Sequence, residues 1–134
     1  MKTGTKVMFI IAIVSTAISI ITFFTLSIVF LIAGSEPAKE GIYRGLEEGS
    51  VTTSFSGSTE EKVEQIVLMF NILAGFFVYF TITSFINLVM AILGLATKNK
   101  IVYILNIVTS IFGLEIFNLL GGIFGLLSKR QENN

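Results

Sequence analysis

Three long apolar stretches, at residues 7–33, 66–96 and 101–127, are divided by a polar segment at 34–65 and by the short link "TKNK". Each exceeds the ~20 residues a helix needs to cross ~30 Å of hydrocarbon. The pattern therefore predicts an all-α integral membrane protein, with helices at about 7–33 and 59–97. The second begins before its apolar stretch because "STEEKVEQ" places Ser58 three residues ahead of Glu61, the spacing of a capping box. Such a helix would measure roughly 57 Å, so its first two turns should stand outside the bilayer or the helix should tilt. The first stretch follows "MKTGTK" and precedes the small residues of "AGSEPA", as a secretory signal might. It is about twice as long as a 7–15-residue signal core, so it reads as a retained span.

The third stretch contains one acid, Glu115, in "IFGLEIFNLL". It fits either a single crossing, for three spans in all, or a hairpin of helices at 100–113 and 116–128. About 14 residues on each side of Glu115 make roughly 21 Å per helix. Helices that short need a thinned bilayer, snorkelling by Lys100, Lys129 and Arg130, or a re-entrant fold shielded by protein. Gly113 offers a helix stop just before the acid. Hydropathy alone leaves both arrangements open.

Charge adds orientation. Seven of the nine acids lie in 34–65, whereas Lys2, Lys6, Lys98, Lys100, Lys129 and Arg130 flank the apolar stretches. Lys and Arg in short loops favour the cytoplasmic side, so the N-terminus and the 98–100 link belong inside and 34–65 outside. Lys129 and Arg130 join them inside only if 101–127 forms a hairpin.

The stretch "ILGLATKNKIVYILNIVTSIFGL" followed by "NLLGGIFGLLSKR" resembles a family of small membrane proteins of unknown function from Gram-positive bacteria. That family is described as having four helices: an apolar helix ending in Leu-Gly-Leu-like residues, a Lys-Asn/Pro-Lys link, then two short Ile/Leu/Gly-rich helices and a terminal Lys/Arg. The resemblance covers the C-terminal half and the general plan of a first span and outer loop. This chain lacks the proline often found in the final turn and carries Glu115 nearby. The resemblance implies an antiparallel bundle of four transmembrane helices, both termini cytoplasmic, in the plasma membrane of a Gram-positive bacterium. It implies no activity.

Lipid does not drive helices together, so small and weakly polar residues at helical spacing mark contact faces. The first span carries Ala12, Ser15, Ser19 and Thr22; the second carries Ser84, Asn87, Ala91 and Gly94. The hairpin segments carry Asn106, Ser110 and Gly113, then Asn118, Gly121, Gly122 and Gly125. Ordinary helix packing explains these stripes. A polar pathway through the membrane is the sharper reading of Asn87, Asn106 and Asn118. The second span also shows Phe70, Phe76, Phe77, Tyr79, Phe80 and Phe85, read as lipid-facing or packing surface. In the outer segment, "SEPAKEGIYRGLEEGS" suggests a short interfacial amphipathic helix with Ile42, Tyr43 and Leu46 on one face, weakened by Gly41 and Gly45. "SVTTSFSGST" reads as a loop.

Composition narrows the chemistry. The chain is 53% hydrophobic and 13% charged, and it has neither histidine nor cysteine. That removes imidazole bases, thiol nucleophiles, Cys/His zinc sites and disulfides. Zero formal net charge argues against nucleic acid as a partner. No phosphate loop occurs; "GGIFG" reads as helix packing, and Glu40, Glu47 and Glu48 lack the rigid frame of a metal site. No enzyme, cofactor or metal is expected. The reading is an accessory, regulatory or interaction subunit whose partners are the bilayer and another membrane protein or a second copy of itself. A small proton-coupled transporter is the alternative, with Glu115 as its carboxylate; immunity against a membrane-active peptide is another.

Overall fold

A computed structural model describes residues 2–132 and contains, among them, five α-helices and no strand. These are α1 (Thr3–Ala33), α2 (Glu36–Glu48), α3 (Thr59–Ala96), α4 (Lys100–Gly113) and α5 (Ile116–Glu132). Two of them, α1 and α3, are long and apolar enough to cross a membrane. The helix expected from residue 7 starts four residues earlier. Thr5 is buried, so packing carries the helix past the end of its apolar run. The last helix continues to Glu132 rather than 128, with Lys129 and Arg130 in its final turn, where cations complement the helix dipole.

The chain divides into two compact units. One takes the chain up to Thr22 and from Tyr79 onward; the other is Phe23–Val78. In the second unit, Phe30 stacks on Phe77 at 5.4 Å between ring centroids and tilts against Phe70 at 5.8 Å. Gly34 presses on Asn71: a Cβ there would come within 2.6 Å of the Asn71 Oδ1. Ser35 precedes α2 but does not cap it; its hydroxyl donates to the Ile32 carbonyl at 2.6 Å. Pro37 fits the first turn, where its missing N–H costs nothing. Gly49 ends the helix at φ 79, a left-handed conformation that glycine adopts without steric cost. Gly45 has a use in the fold: the chain turns back so that Val51 N–H donates to the Gly45 carbonyl, with the valine side chain filling the space a Cβ would need. Ser58 caps α3, its hydroxyl accepting from Glu61 N–H at 3.2 Å.

In the first unit the apolar core is Phe9, Ala12, Ala91 and Tyr103, with Ile13, Leu95, Phe117 and Leu126 packed around it. Phe9 and Tyr103 stack nearly parallel, 6.0 Å apart. Backbone proximity makes room for these rings. A Cβ on Gly94 would approach the Phe9 ring to 2.6 Å and one on Gly121 to 2.7 Å, so the phenyl occupies a slot between α3 and α5. Gly125 similarly underlies Tyr103, and Gly122 abuts the Tyr103 carbonyl.

Candidate functional site

The polar residues of the first unit form a seam through α3, α4 and α5. Asn87, Asn106 and Asn118 are each at most 1% exposed. Asn118 Nδ2 donates to the Asn87 Oδ1 at 2.9 Å and to its backbone carbonyl at 3.2 Å. Asn87 Nδ2 in turn donates within α3 to the Thr83 carbonyl, 2.9 Å, and across to the Thr109 carbonyl of α4, 3.1 Å. One amide thus ties α3 to α4, and another ties α5 to α3. Asn106 donates only to Val102 in its own helix, at 2.9 Å. The Oδ1 atoms of Asn106 and Asn118 are buried without a hydrogen-bond partner among the described residues.

The predicted stripes of α3 and α5 coincide with buried positions. Ser84, Asn87, Ala91 and Gly94 are buried, as are Asn118, Gly121, Gly122 and Gly125. In α4, Asn106 and Ser110 are buried and Gly113 is half-buried beneath Asn87 and Thr83. The first helix differs. Its buried face is Thr5, Phe9, Ala12 and Thr16; Ser15 and Ser19 are half-buried at its margin, and Thr22 is exposed. Small residues set the approach on the glycine-rich helices, but α1 contributes the ring that fills the space. Ser15 and Ser19 instead line an open groove of about 460 Å³ with Ile10, Ile11, Val14 and Ile18. A second groove, about 300 Å³, is bounded by Tyr79, Ile82, Thr83, Ile86, Thr109 and Phe112. Tyr79 donates its hydroxyl to the Phe112 carbonyl at 2.7 Å, satisfying an orphan acceptor at the end of α4.

Glu115 stands at the turn joining α4 to α5. The turn is a Schellman arrangement: Glu115 N–H donates to the Ser110 carbonyl at 2.9 Å, and Leu114 N–H to Ile111 at 3.4 Å. The residue in the left-handed conformation is Leu114, φ 55, the sole non-glycine with positive φ among the described residues. Gly113, the expected helix stop, is the last helical residue; its lack of a side chain admits Asn87 instead. Glu115 Oε1 accepts from Phe117 N–H at 3.2 Å, capping α5, while Oε2 accepts from the Ser15 hydroxyl at 3.4 Å. Asn118, the first buried residue after the turn, reaches across to Asn87.

Sequence reasoning did not identify Phe9 and Tyr103. Tyr103 extends the Asn106–Ser110–Gly113 stripe by one helical step, so its register was readable; Phe9 carries no comparable signal. Among the described residues, no group of three Asp or Glu comes together in a way that could hold a metal ion. Comparison with protein-family models, curated proteins and solved structures gives no match.

Proposed function

We propose that this chain is a small, non-enzymatic, multi-pass subunit of a membrane complex, joining another membrane protein through the α1 face that carries Ser15 and Ser19. One observation carries the reading. The small and polar residues of α3, α4 and α5 are spent on contacts within the first unit; Ser15 donates to Glu115 but, with Ser19, also borders an open apolar groove. Small hydroxyl residues beside an open apolar groove suit close approach by another helix. In this reading the chain crosses the plasma membrane four times, with both termini cytoplasmic and residues 34–65 outside. The two-residue turn between α4 and α5 and the basic end of α5 support that topology. A photoreactive residue at Ile18, which is 60% exposed, should yield a discrete protein adduct in intact cells. At Ile82, beside the other groove, only lipid adducts are expected. Lipid adducts alone at Ile18 would contradict the proposal. For topology, cysteines placed singly at Ser54 and Arg130, both exposed, should differ, with impermeant reagent labelling 54 and sparing 130.

A second reading, a proton-coupled transporter, is favoured by Glu115 being half-buried and touching Ser15 of another helix. Glu115→Gln separates the two. A subunit should retain assembly with its partner, and a transporter should lose pH-dependent ligand binding while still folding.

A further inference from the structure

The hydrogen-bond inventory of the seam is unbalanced in one direction. Three primary amides offer six N–H donors and three oxygens. All three nitrogens have acceptors, and Asn87 Oδ1 receives Asn118 Nδ2. What remains is one Asn106 N–H and two acceptors, Asn106 Oδ1 and Asn118 Oδ1, in side chains that are both 0% exposed. Reversing the Asn106 amide would turn its oxygen toward the Val102 carbonyl and sacrifice the bond its nitrogen makes there. Unmatched acceptors therefore outnumber unmatched donors, and an apolar filling would leave both oxygens stranded at about 1–3 kcal/mol each.

Ser110 lies between them along the hairpin. It shares the buried face of α4 with Asn106 at i,i+4, a separation of about 5–6 Å between Cβ atoms. Its carbonyl receives the Glu115 N–H, which ties the chain three residues before Asn118 to this level of α4. The Ser110 hydroxyl is 2% exposed and donates to the Ile107 carbonyl at 2.7 Å, leaving its own lone pairs open. Two hydrogen bonds of about 2.8 Å through one oxygen span a helical pitch of ~5.4 Å. A small donor between Asn106 Oδ1 and Ser110 Oγ, continued toward Asn118 Oδ1, would meet both unmatched acceptors.

We propose that the α3–α4–α5 seam is an internal hydration site, holding ordered water that donates to Asn106 Oδ1 and Asn118 Oδ1 around the Ser110 hydroxyl. Water suits the position because it supplies two donors without placing charge in a neutral surrounding. Buried waters of this kind make about three hydrogen bonds each and occur roughly once per 27 residues. The amide relay would then run from bound water through Asn118 and Asn87 to the Thr109 carbonyl.

The test uses the full chain in lipid nanodiscs with its asparagine side chains labelled with 15N. Magnetisation transfer from water should reach the side-chain amides of Asn106 and Asn118 and be lost or sharply reduced in Ser110→Ala, whose backbone amide spectrum should otherwise be retained. Absence of transfer in the parent protein, with both amides protected in D2O, would overturn the proposal by showing a dry seam. Sodium is the other small electropositive occupant. Shifts of these amides that saturate with NaCl, are absent with choline chloride and accompany loss of the water signal would assign the site to a cation and also overturn it. Asn106→Leu supplies a stability readout: a dry seam gains thermal stability when the orphan oxygen is removed, whereas a hydrated one gains none.

Discussion

The two units use the same pair of long helices but are fastened by different chemistry. Around Phe9 and Tyr103, glycines on α3 and α5 bring backbones close, and asparagine amides bond one helix to the next. In Phe23–Val78, the long helices meet through aromatic rings: Phe23 stacks on Phe77 at 6.0 Å, and Phe30 on Phe77 at 5.4 Å. The glycine and amide contacts depend on position; one added carbon or one lost donor leaves a clash or a stranded polar group. Ring stacks tolerate sliding. Mutations should therefore be felt more sharply in the first unit.

The largest expected effect is at Gly121. Gly121→Leu would drive atoms into Phe9, whose Cε1 already lies 2.7 Å from where a Cβ would sit. Overpacking of this kind costs about 1–3 kcal/mol, read as a lower melting temperature in detergent. Gly75 in the other unit is the counterpart: nothing lies within 4 Å of its Cβ position. Gly75→Ala should raise stability by about 0.5–1 kcal/mol through helix propensity alone. Equal losses for both variants would erase the distinction between the two regions.

Next comes the aromatic cluster. Phe30→Leu keeps an apolar, though smaller, side chain while removing both ring contacts, so a loss of at least about 0.5–1.5 kcal/mol is expected in the same melting assay. A loss exceeding that at Gly121 would reverse the order of rigidity. The smallest change concerns the turn. Leu114→Gly relieves a left-handed leucine, worth about 1–2 kcal/mol, and gives back part of that as unfolded-state entropy. A net gain of about 0.5–1 kcal/mol should appear, because Leu114 is 79% exposed and buries little. Destabilisation would mean that its side chain is anchored by something outside the chain.

Much of this was readable in the chain because helical spacing and hydropathy are one-dimensional signals. The apolar stretches give α1 and α3, Ser58 gives the start of α3, and the small-residue register gives the buried faces of α3, α4 and α5. The α1 face escaped because its buried positions include a large aromatic, and only the slot between Gly94 and Gly121 makes Phe9 an inward residue. Gly113 offered the stop at which α4 ends. That Leu114, and not the glycine, takes the left-handed conformation goes with the close approach of Asn87 to Gly113, which is a tertiary contact. That Asn118 faces Asn87, rather than the turn beside it, depends on how α5 rotates against α3. No local pattern encodes that rotation.

The coupling between Asn87 and Asn118 tests most directly whether polar bonds fasten the first unit. A double-mutant cycle with Asn87→Ala, Asn118→Ala and the pair, measured by unfolding in detergent, isolates their interaction from separate losses of packing. Interhelical hydrogen bonds in membrane proteins average about 0.6 kcal/mol and reach about 1.7. Asn87→Ala removes only the 2.9 Å bond to Oδ1, the 3.2 Å bond being to the backbone carbonyl that alanine keeps, so the coupling should fall near that average, about 0.6 kcal/mol. Strictly additive losses, with no coupling beyond error, would show that the Asn87–Asn118 side-chain bond contributes no fastening.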